Sequence, residues 1–296
     1  MNKTTICCTT SAPMFMAGHN KDNPELRAAS IKGIMRFIWR AIQQADDIGK
    51  LRNVEGRIFG NAFGGKDTKA SEMRIRVEED NLAKKHEQMV PHRTLPEYGG
   101  RSFTSNAISA GEDFSVVITS FADEKLHIDF IRLFATTCLL CGFGRRSRKG
   151  FGTIKIKSID GIGSHVDYGF TGAVDNLNAL SKFSAVYSFI SDTEIAVKNQ
   201  KPAAEYPYIE SIKVAGTNGF SDSMDIIKQI GMSAHLFSRK MFLGSANPRF
   251  ASSVLLSTIP WNNTQYRCII TQLHCTKKSF RPEERSNFYV ELDGRV

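Results

Sequence analysis

The chain has 296 residues, 41% of them hydrophobic, and a net charge of +9. That length can bury a core without disulfides or metals and points to two domains. The cation excess favours a polyanionic partner, nucleic acid or an anionic membrane surface, but no stretch approaches the roughly 18 uninterrupted apolar residues of a membrane span. The N-terminus "MNKTTICCTTSAPMFMAGH" is too polar for a signal-peptide core. A cytoplasmic protein with free thiols and no membrane partner is therefore expected.

"TTICCTTSA" (4–12) is rich in β-branched residues and stops before Pro13, as a strand does. After a turn-rich linker, a helical pattern runs from Ala28 to Ala45, with Ser30 placed to help cap it. "SEMRIRVEED" alternates, with Met73, Ile75 and Val77 on one side and Arg74 and Arg76 on the other, so it reads as a half-buried strand. Residues 81–111 contain Pro91, Pro96, Gly99 and Gly100 and no clear period; an insertion of that length is either disordered or functional. "EDFSVVITSF" (112–121) is a strand, "DEKLHIDFIRLFATTCLLCGF" a helix with Leu126, Phe130, Leu133 and Phe134 inward, and "FGTIKIKSID" a closing strand. Cys138 and Cys141 lack the second pair of a zinc tetrad and read as core residues.

The resulting order, strand-helix-strand-strand-helix-strand, is the split βαβ or ferredoxin-like pattern, which is also the scaffold of the common RNA-recognition module. The second half repeats it less clearly: "VDNLNALSKFS" helical, "YIESIKVAG" a strand, "SDSMDIIKQIGMSAHLF" a serine-capped helix, "ASSVLLSTI" and "QYRCIITQLHC" strands. The fold expected is α+β, two ferredoxin-like domains in tandem. The first spans 1–164 and includes the insertion; the second, 165–296, is degenerate.

On a helical wheel of the first helix, Ile34, Met35, Ile38, Ala41 and Ile42 group on one side. Lys32, Arg36, Trp39, Arg40 and Gln43 share an arc of about 100° on the other. Cations beside an indole suit a ribose-phosphate strand, with charges for phosphates and a ring for stacking. A solvated charged face with Trp39 packed on a neighbour is the plainer alternative. Gly33 costs about 1 kcal/mol in mid-helix and needs a reason such as close backbone approach.

"GFGRRSRKGFGT" (142–153) sets Arg145, Arg146, Arg148 and Lys149 among Gly142, Gly144, Gly150 and Gly152. Glycines let a ligand approach main-chain amides, and guanidinium groups around them hold phosphates. The loop follows a helix and opens a strand, the reverse of a dinucleotide fingerprint, and no G-x-x-x-x-G-K-[ST] occurs. Phosphate binding is the reading expected, and it carries no base specificity.

"PELRAASIKGIMRFIWRA" and "GFGRRSRKGFGTIKI" resemble the first-helix signature and the C-terminal glycine-rich loop of the RAMP superfamily. With the strand order, the chain is similar to the family of first-numbered subunits of the type III-B CRISPR Cmr effector complex. "NPRFASSVLL" is similar to the basic motif of that family's second domain. The resemblance implies a non-catalytic subunit of a ribonucleoprotein, partnered by guide RNA (its 3′ part), target RNA and neighbouring RAMP subunits, with no cofactor or metal. The RNA contacts it implies are Arg27, Lys32, Arg36, Trp39 and Arg40, then Arg145, Arg146, Arg148 and Lys149, with Arg249 from the second domain.

Some RAMP relatives cut RNA, which makes a metal-independent endoribonuclease with His19 as general acid/base the alternative. His19 has no acidic or basic partner nearby in sequence and reads more simply as a loop histidine. His86 and His92 match no zinc spacing, and no H-E-x-x-H or G-x-S-x-G occurs. A general single-strand RNA-binding module is the third reading.

Overall fold

β1 (Asn2–Thr10) buries every second residue, Thr4, Ile6, Cys8 and Thr10, which is the period-two signature of a strand with one face on a core. In the computed structural model it lies between β5 (Asp113–Ser120) and β6 (Ile154–Gly161), antiparallel to both, and β2 (Met73–Glu79) extends the sheet beyond β5. The order β2-β5-β1-β6 is that of a split βαβ unit. The structure describes residues 1–61, 70–199, 206–237, 240–246, 249–262, 264–274 and 281–296.

α1 (Ala28–Ile42) and α3 (Glu124–Leu140) cover one face of this sheet. α1 stops three residues short of the expected Ala45 and is capped by the extended backbone of Arg27, not by Ser30, which lies inside the helix. Between them runs a helix absent from the sequence reading, α2 (Ile48–Phe59). Asp47 caps it, accepting from Gly49 N at 2.7 Å and Lys50 N at 3.2 Å. The outward positions of the central strands are Lys3, Thr5, Cys7 and Thr9 with Asp113, Ser115, Val117 and Thr119, so those strands offer no ring for a base to stack on.

The insertion is ordered. β3 (Lys84–Gln88) and β4 (Thr104–Ile108) form a two-stranded arm whose far end is a 3-10 turn at Pro91–Thr94 and another at Pro96–Tyr98. The segment after β1 pins this arm. Met14 exchanges backbone bonds with Ile108 at 2.9 and 3.0 Å, and Phe15 O accepts from Arg145 N at 2.8 Å.

In the second half follow α4 (Ala173–Leu180), β7 (Tyr187–Ser191), β8 (Glu194–Val197), β9 (Ile209–Phe220) and α5 (Ser223–Leu236). β10 (Ser245–Ala246), β11 (Arg249–Phe250), β12 (Val254–Pro260), β13 (Tyr266–Leu273) and α6 (Pro282–Asp293) complete it. The cap of α5 is Asp222, accepting from Met224 N at 2.8 Å, where a serine was expected; Ser223 instead donates to Ser11 O at 2.6 Å. The second sheet has the order β12-β13-β9-β8-β7.

β12 is buried along nearly its whole length, Ser257 and Thr258 included, because both faces of this sheet are covered. Leu255 and Ile269 face α3 and join its core. Leu256 and Ile270 belong to a second core under α5 and α6, with Ile226, Phe288 and Leu292. α3 therefore lies between two sheets, which explains why Ile131, Ala135, Leu139 and Cys138 are buried as well as its predicted inner residues. Cys138 and Cys141 are buried free thiols, with burial raising the pKa of Cys141 to about 12.

Candidate nucleic-acid interface

α1 carries two basic features that the structure resolves differently. Arg36 and Arg40 both turn toward α2, where the carboxylate of Glu55 is 1% exposed. Arg40 grips it from Nη2 at 2.6 and 2.8 Å and from Nε at 3.1 Å, while Arg36 Nε donates to Oε1. Two guanidinium groups on one buried carboxylate form a strong charge-assisted pair of contacts. Both arginines still keep part of their surface in solvent, so the group presents one net positive charge. Lys32 lies on the β2 side, donating from Nζ to Met73 O at 3.1 Å, and desolvation lowers its pKa.

Trp39 requires a correction. It is 1% exposed and packs edge-on against Phe59 of α2, ring centroids 6.1 Å apart. Its indole is a core residue and offers no stacking face. Gln43, grouped with the cations on the wheel, is also buried, donating to Trp39 O and Leu180 O and accepting from Lys182 N. The wheel misplaced both because α2 and α4 cover that edge of the helix.

The glycine-rich loop does lie beside α1, but against the neighbouring flank. The Arg148 guanidinium sits over Phe37, 4.6 Å from the ring centroid, and Nη1 donates to Ser252 O in the second half. Arg148 is thus a strut between α1 and β12's approach. Ser30 and Ile34 of α1, Gly144 and Arg145 of the loop, Lys21 of the linker and Asn106 of the arm line one trough of about 640 Å³. Arg145 is exposed there. Gly33 is exposed on the same helix, and a Cβ added to it would meet nothing within 4 Å, so no part of the described chain approaches it.

The loop's glycines serve packing more than ligand access. A Cβ on Gly152 would lie 2.0 Å from Phe143 O, and one on Gly142 1.8 Å from Phe151 O, so the two arms of the loop close on each other through glycine. The amides of Gly142, Phe143, Arg145, Gly150 and Gly152 all donate to carbonyls of the chain. Those amides are therefore taken up by the chain itself and are not open to a ligand, contrary to the cradle expected at these positions. The loop also offers side-chain charge outward at Arg145.

Of the remaining predicted positions, Arg27 is exposed at the mouth of α1, 3.5 Å from Glu25. Arg146 stands over the Phe151 ring at 5.8 Å in a left-handed backbone conformation, and burial lowers its pKa. Lys149 is buried at its Nζ, with its pKa pulled down to about 8 by desolvation and then by Arg146. The backbone of Arg249 belongs to β11; its side chain lies outside the described residues. His19 is exposed in the linker. Among the described residues no group of three His, Cys, Asp or Glu side chains could hold a metal ion. No described helix is long and apolar enough to cross a membrane. Sequence reasoning missed Lys21, Asn106 and Glu55; the Leu51, Val54 and Ile58 spacing was the available signal for the helix that carries Glu55.

The RAMP superfamily model matches residues 7–155. The chain is 25% identical over 301 residues to the CRISPR system Cmr subunit Cmr1-1 of Pyrococcus furiosus, covering 92% of this chain and 86% of that protein. Among solved structures it is similar to the crystal structure of Cmr1 from Pyrococcus furiosus in its apo form, with a TM-score of 0.60 at 18% identity, covering 100% of this chain and 97% of that one. A chain of the type III-B Cmr-beta complex bound to cognate target RNA superposes with a TM-score of 0.57 at 10% identity, covering 98% of each. The architecture and the family match agree: the chain belongs to the RAMP superfamily.

Proposed function

We propose that this protein is a non-catalytic, RNA-binding subunit of a type III-B CRISPR ribonucleoprotein effector. In this reading it holds the 3′ part of the guide RNA, or the target RNA, beside a neighbouring RAMP subunit. The observation that carries it is the trough between α1 and the glycine-rich loop, where Arg145 and Lys21 face Ser30 and Ile34. A strand laid there meets cations on one side and the Ser30 and Ile34 flank of α1 on the other, with Gly33 exposed on the same helix. Arg27, Arg36 and Arg40 extend the positive surface along α1, whereas Lys32 and Arg148 act by holding α1 in place. The similarity to a Cmr subunit over most of the chain supports assembly into a complex of that kind.

The chain is read as two units meeting near residue 164, the second a ferredoxin-like copy. β9-α5-β12-β13-α6 follows the split βαβ order, and β8 occupies the place beside β9 where a fourth strand belongs. The two share the core around α3 and are not separable folding units.

Incubation of the purified chain with repeat-containing guide RNA and with target RNA tests the function. The reading requires salt-sensitive binding with the RNA left intact. Specific cutting that His19→Ala abolishes would replace it with the endoribonuclease.

A further inference from the structure

A second basic site lies behind the loop, where three parts of the chain meet. The 3-10 turn at the end of the arm contributes His92 and Arg93, the loop contributes Arg146 and Lys149, and α5 contributes His235. Ile227, Ile230 and Ala234 of α5 form its apolar floor, and the cavity measures about 310 Å³. That is the small end of the range for ligand pockets, roughly 300–1,000 Å³.

Among the described residues no acidic side chain lines it. Lys149 Nζ and Arg146 Nε are buried, and neither has a hydrogen-bond partner among the described residues. Arg93 donates from Nε to Tyr98 O at 3.4 Å, a contact that does not use the two terminal nitrogens of its guanidinium. His92, 6% exposed, and His235 stack edge-on at 5.8 Å, with Tyr98 closing the ring cluster at 5.1 Å from His235. Gly231 lets the arm seat this closely, since a Cβ there would fall 2.1 Å from His92 Nδ1.

Burying a polar group without a partner is costly, and burying an unpaired charge costs more. Here desolvation by burial, then the neighbouring cations, pull Lys149 down to about 8 and His92 down to about 4. Five basic groups from three elements have thus been brought together with no counter-ion lining the pocket among the described residues. Glu55 shows that this protein can supply one where it needs to.

We propose that the pocket between the arm, the glycine-rich loop and α5 is a binding site for a single phosphate group, held by Lys149, Arg146, Arg93 and His235. Donors arriving from three elements suit the tetrahedral oxygens of phosphate better than the flat face of a carboxylate. That the phosphate belongs to RNA, as a chain end, rests on the function proposed above; a free nucleotide shares the chemistry.

The test uses the full-length chain at pH 7 and low ionic strength, titrated calorimetrically with inorganic phosphate and, separately, with acetate. Saturable phosphate binding is expected, together with a rise in Tm. Lys149→Met should weaken it about tenfold, the loss of one charged hydrogen bond, without lowering the Tm of the phosphate-free protein. Arg93→Gln, at the rim, gives a second variant with a smaller loss in the same direction. Unchanged affinity in both variants overturns the proposal. Acetate binding as tightly as phosphate also overturns it, and points to an acidic side chain of a protein partner.

Short RNAs ending in 5′-phosphate, 3′-phosphate or hydroxyl, and a nucleoside monophosphate, separate the sources. Phosphate binding that depends on Lys149 in a chain that binds no RNA would retain the site and remove the RNA reading. RNA binding without any dependence of phosphate affinity on Lys149 would do the reverse.

Discussion

The flank of α1 and the glycine-rich loop contain the same kinds of residue and handle them in opposite ways. Arg36 and Arg40 share the buried carboxylate of Glu55 and become part of the packing between α1 and α2. Arg146 and Lys149 are at least as deeply placed at their polar atoms, yet find no protein partner among the described residues. A sequence scan weighs these arginines equally. The difference lies in the counter-charge: Glu55 supplies it to α1, and behind the loop, where none is found among the described residues, the proposed phosphate supplies it.

The comparison breaks most visibly if the α1 pair is removed. Arg36→Ala with Arg40→Ala leaves Glu55 buried and unpaired, which costs on the order of 3 kcal/mol; a Tm several degrees below wild type in thermal unfolding is expected. Arg145→Ala with Arg146→Ala should leave folding intact and reduce RNA affinity for all sequences alike. The slope of log affinity against log salt should become shallower by about 2, read by fluorescence anisotropy across a salt series. An unchanged slope would mean that the loop's charge is structural as well.

The buried groups behind the loop sharpen the contrast through pH. Lys149 titrates near 8 in the folded protein against an ordinary 10.5, so the unfolded chain holds more protons between these values and stability rises with pH across that window. His92, near 4 against 6.5, makes stability fall as pH drops from 6.5 toward 4. Denaturant midpoints measured over both ranges check this, and Lys149→Met should flatten the alkaline rise alone.

The smallest effect expected is at Gly33. Alanine there should stabilise the helix by about 1 kcal/mol, because it meets nothing in the folded chain, while weakening RNA binding if a strand crosses that point. Denaturant unfolding and anisotropy on the same protein read the two signs.

Much of the first sheet was legible from the sequence. β1, β2 and β6 alternate cleanly, and α1 and α3 carry unmistakable apolar stripes. The arm was not, because "KKHEQ" and "TSNAI" make a hairpin whose pairing comes from backbone bonds and from anchoring at Met14, with no apolar alternation to announce it. α6 was missed for a related reason. Its buried Phe288 and Leu292 sit in an otherwise polar segment, and only the second core explains them. The basic motifs were visible as motifs, but Trp39 shows the limit of a wheel drawn for one helix. Its burial depends on Phe59, in a helix that the sequence did not reveal. The phosphate pocket was beyond reach in the same way, since His92, Lys149 and His235 lie far apart in the chain and meet only when the arm folds across to α5.

Ultraviolet crosslinking of bound guide or target RNA to the full-length chain, followed by mapping of the attached peptides, tests the trough most directly. Attachment should fall on the peptide containing Gly33 to Phe37 and on the one containing Arg145. Crosslinks confined to the outer face of the first sheet, around Arg74, Arg76, Lys155 and Lys157, with none beside α1, would contradict it.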